Sequence, residues 1–90
     1  MMDLDLQGKR AVVTGASLGI GEAVVKMLAE HGADVSFCAR NPEAVNTLSS
    51  FESAKGSIKG FVADMGNKES TDSFIGSVQE DGPVDILVNN

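Results

Sequence analysis

The apolar residues of this chain change their spacing along the sequence, and that change constrains the fold more than any other feature. Short continuous runs, of which residues 11–13 are the first, are typical of strands buried on both faces. Between these runs, apolar residues recur every three or four positions, as they do along one side of a helix. Gly, Pro, Asn or Ser stands at each change of period. The sequence therefore predicts strands that alternate regularly with helices.

The apolar runs predict four strands, and the helical periods predict three helices between them. The strands are expected at residues 11–13, 35–39, 58–63 and 86–88. Each helix is expected to bury an apolar stripe along one side. The stripes consist of Ile20, Ala23, Val24, Met27 and Leu28 in the first helix, Val45, Leu48 and Phe51 in the second, and Phe74, Ile75 and Val78 in the third. Gly32 is expected to end the first helix, Asn41 and Pro42 to begin the second, and Gly82 and Pro83 to end the third.

Helices of this length between strands favour a parallel sheet, because a parallel strand can be reached only through a crossover. The fold class is therefore α/β, a Rossmann-type doubly wound parallel sheet with strand order 3-2-1-4. The first two helices are expected on one face and the third on the other. Ligands bind such sheets beyond the carboxyl ends of the strands, where the order reverses, and Gly15 and Asn89 are expected to meet there.

Composition excludes several classes of function. The net charge of -6 argues against nucleic acid as a partner, because binding to phosphates needs clustered Lys and Arg. No apolar run approaches the length of about eighteen residues that crosses a bilayer, so no membrane association is expected. The single cysteine, Cys38, and the absence of a signal pattern at residues 1–7 favour a cytoplasmic protein. Cys38 itself is interpreted as a core residue.

The chemistry is concentrated in the segment 14–21, Thr-Gly-Ala-Ser-Leu-Gly-Ile-Gly, between the first strand and the first helix. Gly15 permits a tight turn, Gly19 allows the backbone to approach a pyrophosphate, and Gly21 lets the helix pack close to the sheet. The helix N-terminus favours an anion, and the Ser17 hydroxyl can add a donor. Glycine-rich turns also occur for packing alone, but the surrounding strands favour a dinucleotide site. The lysine of a P-loop is absent, which disfavours a phosphotransferase.

This segment resembles the Thr-Gly-x-x-x-Gly-x-Gly motif of classical short-chain dehydrogenases/reductases. The pair Asp64-Met65 after the third strand and Asn89-Asn90, where the family has Asn-Asn-Ala-Gly, also resemble it. The resemblance covers the whole chain. It implies that Thr14, Leu18 and Ile20 contact the cofactor with the motif glycines, that Asp64 and Met65 hold the adenine, and that Asn90 lies near the ribose or the nicotinamide. The alternative roles are a turn or helix-entry residue for Asp64 and a turn residue for Asn90.

The end of the second strand favours NADP over NAD. An acidic side chain there would bind the 2′-hydroxyl of NAD, but this chain has Ala39 and Arg40. Arg40 can bind a 2′-phosphate, and relatives with Arg at that position commonly prefer NADP. The alternative is a solvated arginine. Some relatives carry a second basic residue just before the middle glycine of the motif, where this chain has Leu18. The preference for NADP is therefore expected to be incomplete.

The catalytic Asn, Ser, Tyr and Lys of the family lie beyond residue 90, and this chain contains no Tyr. Residues 1–90 are therefore interpreted as the NAD(P)-binding N-terminal portion of a longer chain, inactive alone. The resemblance implies hydride transfer between nicotinamide and a carbonyl or alcohol substrate, in an enzyme expected to form a homo-oligomer through its C-terminal half. The alternative is a free-standing dinucleotide-binding module without catalysis.

Other titratable residues are interpreted structurally. His31 is expected in the last turn of the first helix, where a cation interacts favourably with the helix dipole. Glu69, Asp72, Glu80 and Asp81 are expected on the solvated face and exit of the third helix. No metal-ligand spacing occurs.

Overall fold

The computed structural model describes residues 5–16, 19–52 and 55–89. Four strands and three helices alternate along the chain. They are β1 (Arg10–Thr14), α1 (Ile20–Glu30), β2 (Asp34–Ala39), α2 (Pro42–Ser49), β3 (Ser57–Val62), α3 (Lys68–Glu80) and β4 (Ile86–Asn89). Every strand and helix expected from the sequence is present. The ends of the strands differ from the expected ones by at most one residue.

The four strands form one parallel sheet in the order β3-β2-β1-β4, as predicted. The central strand β1 is paired on one side with β2 and on the other with β4. The order reverses beside β1, so the carboxyl ends of β1 and β4 lie next to each other. In the register between these two strands, Thr14 is paired with Asn89.

The helices divide between the two faces of the sheet as predicted. On one face, Val25, Leu28 and Ala29 of α1 and Val45 and Leu48 of α2 pack against side chains of β1 and β2. On the other face, Phe74 and Val78 of α3 pack with Val12, Cys38 and Ala63. Phe61 adds an edge-to-face contact with Phe74, with 5.4 Å between the ring centroids. Burial of these apolar side chains is the main stabilising contribution.

The apolar face predicted for α1 is wrong in part. Ile20 is 76% exposed and Met27 is 44% exposed, although both were expected to be buried. Ala23 is exposed as well, Val24 is partly buried, and Leu28 is buried as predicted. The other buried residues of the helix are Gly21, Val25 and Ala29. Apolar residues cover a broad arc of this helix, and its smaller residues allow it to approach the sheet closely. Met27 is therefore a surface residue and not part of the core.

Two further apolar residues expected to be buried are exposed. Leu87 of β4 is 68% exposed, and Ile75 of α3 is 42% exposed. Leu87 is paired in register with Val12, which faces α3, so Leu87 also lies on the α3 face. Its exposure shows that α3 covers the sheet at β1 and β2 but not at β4. Phe51 lies just beyond the end of α2 and is only partly buried.

Asparagine side chains begin two of the helices. Asn41 precedes Pro42 and caps α2, as predicted, and Asn67 caps α3 by accepting a hydrogen bond from the backbone N–H of Ser70 at 2.9 Å. His31 is the C-terminal cap residue of α1. The four acidic residues 69, 72, 80 and 81 are exposed, as expected. Within the described part of the chain, no helix could span a membrane and no group of potential ligands could hold a metal ion.

Candidate functional site

A cleft of about 660 Å³ lies at the carboxyl ends of the strands. Thr14 and Gly15 after β1, Arg40 after β2, and Asp64 and Met65 after β3 all contribute to its walls. These five residues were all predicted as site residues, and the structure places them around one cavity. The remaining wall consists of Cys38, Ala39, Asn41, Ala44, Ala63, Gly66 and Asn89. The cleft has the size of a typical small-molecule site.

The glycine-rich turn leads from this cleft into α1. Gly15 and Gly19 both have positive φ angles, of 66° and 65°, which residues with a side chain rarely adopt. Gly19 is the N-terminal cap of α1, and Ile20 and Gly21 form its first turn. These three predicted site residues do not form part of the wall of the cleft. Ser17 and Leu18, which were also predicted to bind the cofactor, lie outside the described residues.

The N-terminus of α1 differs from those of α2 and α3 in its cap. Asparagine side chains accept hydrogen bonds from the first backbone N–H groups of α2 and α3, whereas Gly19 has no side chain to do so. Among the described residues, apart from its chain neighbour, none has a heavy atom within 4 Å of a Cβ atom placed on Gly19. The positive end of a helix dipole next to open space is suited to an anion.

A hydrogen bond joins the carboxyl ends of β1 and β4, at the switch point, where the strand order reverses. The Thr14 hydroxyl donates to Oδ1 of Asn89, with 3.0 Å between the oxygens. The expected meeting of these strand ends is therefore observed. Asn90, the predicted site residue that follows, lies outside the described residues.

Arg40 is the positively charged side chain among the described residues of the cleft wall. It is exposed, and no ion pair joins it to another residue in the described ranges. Ala39, at the end of β2, is buried and brings no carboxylate to this position. The cleft therefore offers a cationic group where β2 ends and a carboxylate, that of Asp64, where β3 ends.

The loop after β3 is held in place by the first turn of α3. The backbone N–H of Asp64 donates to Oγ of Ser70 at 2.8 Å, and Oδ1 of Asp64 accepts from the backbone N–H of Gly66 at 2.9 Å. The Thr71 hydroxyl lies 3.3 Å from the carbonyl oxygen of Met65. Asp64 therefore makes the contact of a turn residue, which was the alternative to its predicted role in holding the adenine. A carboxylate has two oxygens, so this contact leaves a second oxygen that can accept a hydrogen bond.

Cys38 lies at the base of the cleft, fully buried in the core on the α3 face. Burial raises the pKa of its thiol above the ordinary value of 9.0, and a hydrogen bond from the backbone of Gly15 only partly opposes this effect. A neutral thiol in a packed core is unreactive. The interpretation of Cys38 as a core residue is therefore confirmed.

Sequence reasoning did not include Asn41, Asn89 or Ser70 among the site residues. Asn89 was placed at the switch point, and Asn41 was interpreted only as the cap of α2. The spacing Asn67-x-x-Ser70 would have indicated that α3 begins next to Asp64, because a cap side chain contacts the residue three positions later.

The family model described as "short chain dehydrogenase" matches residues 9–90. An uncharacterized oxidoreductase of Bacillus subtilis is 38% identical over 89 residues, which cover 99% of this chain and 34% of that protein. The structure of L-sorbose reductase from Gluconobacter frateurii, complexed with NADPH and L-sorbose, is 33% identical, with a TM-score of 0.85 over 99% of this chain and 35% of that one. The RhlG/NADP complex of Pseudomonas aeruginosa is 36% identical, with a TM-score of 0.80 over 97% and 36%.

The chain thus spans about a third of the length of the relatives that it matches. Within that third, the family model matches almost all of the described residues, and the sheet that they form has the predicted strand order. The expected resemblance is confirmed, and this chain belongs to the short chain dehydrogenase family.

Proposed function

We propose that this chain forms the dinucleotide-binding part of an NADP-preferring oxidoreductase that transfers a hydride between nicotinamide and a carbonyl or alcohol substrate. The observation that carries the proposal is the position of Arg40, exposed on the wall of the cleft at the end of β2. Two similar structures, those of L-sorbose reductase and RhlG, are complexes with NADPH and NADP.

The residues of the cleft fit a dinucleotide. In the proposed arrangement, the pyrophosphate lies at the N-terminus of α1, where the space beside Gly19 is open. The adenosine lies between Arg40 and the pair Asp64-Met65, and Arg40 binds the 2′-phosphate through its planar set of donors. The proposal also assigns Ser17, Leu18, Ile20 and Gly21 to the binding of the phosphates and Asn90 to the nicotinamide end of the cofactor.

The chemistry of the proposed reaction is divided between cofactor and protein. When bound, the nicotinamide supplies a hydride donor or acceptor at its C4 atom. This chain binds and orients the dinucleotide, and it contains no Tyr to act as general acid or base. In the proposed enzyme, the residues that move the proton and line the substrate therefore lie outside these ninety residues. The small-molecule substrate, a cytoplasmic location and a homo-oligomer formed through the later half also belong to the proposal.

Replacement of Arg40 by glutamine tests the choice of cofactor. In the full-length protein, Arg40→Gln should weaken NADPH binding about ten- to a hundredfold, because a charged hydrogen bond contributes roughly 1.5–3 kcal/mol. NADH has no 2′-phosphate, and its affinity should change little. Fluorescence titration of both reduced cofactors measures the two affinities. Equal losses for NADPH and NADH would contradict the preference for NADP.

A further inference from the structure

The Ser70 hydroxyl joins α3 to the loop in which β3 reaches the cleft. Ser70 is the third residue of α3, and its Oγ accepts a hydrogen bond from the backbone N–H of Asp64 at 2.8 Å. In a capping box, the side chain at this position accepts from the N–H of the cap residue. Here the N–H of the cap residue, Asn67, donates to the carbonyl oxygen of Asp64 at 3.0 Å instead. The Ser70 hydroxyl therefore holds the loop before the cap.

Three hydrogen bonds form a closed ring through Asp64, Asn67 and Ser70. Besides the two just given, the backbone N–H of Ser70 donates to Oδ1 of Asn67 at 2.9 Å. Thr71 is a weaker link to this loop, because its hydroxyl lies 2.9 Å from the carbonyl oxygen of Asn67 and 3.3 Å from that of Met65. Ser70 therefore provides the side-chain contact that holds the backbone of Asp64 against α3.

The turn leaves one acceptor and one donor unused beside the cleft. The N–H of Gly66 donates to Oδ1 of Asp64 at 2.9 Å, whereas Oδ2 has no hydrogen-bond partner among the described residues. Within the same residues, the backbone N–H of Met65 has no acceptor. Asp64 and Met65 are both exposed and contribute to the wall of the cleft. A ligand in the cleft can therefore bind to a carboxylate oxygen and to the N–H of the next residue.

The two purine bases adenine and hypoxanthine present opposite patterns to such a pair. Adenine has an amino group, which donates, beside N1, which accepts. Hypoxanthine has an oxygen, which accepts, beside an N1–H group, which donates. A carboxylate oxygen and a neighbouring N–H group therefore suit adenine and not hypoxanthine, provided that the loop holds both at hydrogen-bonding distance.

We propose that Ser70 is a positioning residue for the choice of base, whose hydroxyl holds Asp64 and Met65 where they distinguish adenine from hypoxanthine. The inference rests on the proposed function, in which this pair borders the adenosine. Ser70 does not form part of the wall of the cleft, so it acts through Asp64. Hydrogen bonds weaken steeply as their distance and angle change, so a small shift of the loop lowers the affinity for adenine. Hypoxanthine does not match the pair, and its binding has little to lose.

Substitutions within α3 separate this role from a role in folding. Ser70→Ala removes the acceptor for the N–H of Asp64, and Ser70→Thr retains a hydroxyl. Ser73→Ala is the matched control, because Ser73 is an exposed serine of the same helix without a hydrogen bond among the described residues. Alanine favours a helix over serine, so both alanine variants should fold. Thermal unfolding of all three variants should remain within a few degrees of the wild-type protein.

The probes are NADPH and its deamino analogue, in which hypoxanthine replaces adenine and all other groups are the same. Fluorescence titration of the full-length wild-type protein should show tighter binding of NADPH than of the analogue. In Ser70→Ala, the affinity for NADPH should fall about three- to tenfold, while that for the analogue should change less than about twofold. Ser70→Thr and Ser73→Ala should keep the ratio of the two affinities that the wild-type protein has.

An unchanged ratio in Ser70→Ala would overturn the inference. Equal losses for the two probes would also overturn it, because a purely structural role predicts them, and so would the same fall of the ratio in Ser73→Ala. If Ser70→Ala does not fold, Ser70→Cys decides by the same ratio, since a thiol sulfur is only a weak acceptor. A wild-type protein that binds both probes equally well rejects the role of Ser70 and leaves the proposed function standing. A wild-type protein that binds neither probe rejects the proposed function and the inference with it.

Discussion

At the scale of single residues, Gly19 combines two properties that the sequence motif alone does not separate. Its φ and ψ angles of 65° and -128° lie in a region that residues with a Cβ atom avoid. No described residue other than its chain neighbour approaches the space that such an atom would occupy. The backbone therefore requires glycine here, and in the proposed function the pyrophosphate also needs this space, so substitution should affect folding and binding separately.

We predict that Gly19→Ala destabilises the protein by about 1–3 kcal/mol and weakens NADPH binding by more than about tenfold. The first effect comes from backbone strain and the second from a methyl group in the proposed pyrophosphate space. Gly8→Ala is the matched control. Gly8 also has a positive φ, of 82°, with no atom within 4 Å of the added Cβ, but it lies before β1, at the opposite end of the sheet from the cleft.

Urea unfolding and fluorescence titration of NADPH measure both effects in the full-length protein. Both variants should lose stability, and only Gly19→Ala should lose affinity. If Gly19→Ala is destabilised but binds NADPH as tightly as the wild-type protein does, Gly19 does not lie against the cofactor.

At the scale of secondary-structure elements, periodicity predicted which segments are helices better than it predicted which side of each helix is buried. In α1, a large apolar residue is followed directly by a small one at two places, Ile20-Gly21 and Leu28-Ala29. The prediction assigned the larger apolar side chains to the buried face, whereas the structure buries Gly21 and Ala29 and leaves Ile20 and Met27 exposed. Close approach to the sheet favoured the smaller residues, and this preference depends on tertiary contacts that no local pattern contains.

The contact between α2 and β3 depends on the absence of a side chain at Gly60. A Cβ atom there would lie 2.7 Å from Cζ of Phe37 and 2.8 Å from Cγ1 of Val45, and it would also collide with Oγ of Ser49. Two of these neighbours belong to the buried core and cannot move freely. Glycine at this position lets the helix pack directly on the strand backbone.

We predict that Gly60→Ala destabilises the protein by about 1–3 kcal/mol, the usual cost of overpacking a core. Gly76→Ala makes the same chemical change at an exposed site inside α3, where an added Cβ meets no atom within 4 Å. Alanine favours a helix by about 0.5–1 kcal/mol over glycine, so this variant should be more stable than the wild-type protein. Chemical denaturation of both variants gives the two signs. A Gly60→Ala protein with unchanged stability would show that the elements can separate to admit a methyl group.

At the scale of the whole molecule, the strand order followed from the sequence because right-handed crossovers leave few alternatives. The location of the cleft followed in turn, since parallel strands bring Thr14, Arg40 and Asp64 to one edge of the sheet. The contacts that hold the wall of the cleft in place could not be predicted from the sequence. The hydrogen bond from the Asp64 backbone to Ser70 joins residues whose approach depends on the packing angle of α3.

Among the described residues, β4 is a weakly covered edge of the sheet. This strand is paired only with β1 within the described residues, and Leu87 is 68% exposed on the α3 face. An apolar side chain on an unpaired strand edge favours association with other chains. Residues 1–90, produced alone, should therefore self-associate, and they should not oxidise NADPH with any of a panel of ketones and aldehydes, because they contain no Tyr for proton transfer.

We predict that Leu87→Lys reduces this self-association, because it removes apolar surface and adds a charge of the kind that protects natural strand edges. Met27→Lys is the matched control. Met27 is 44% exposed on α1, on the other face of the sheet, and its substitution produces the same change in net charge. Sedimentation velocity of the three ninety-residue chains at several concentrations measures the association. A large shift toward monomer in Leu87→Lys and a small one in Met27→Lys would locate the contact at β4. Equal shifts in both variants would mean that net charge, and not the exposed edge, controls the association.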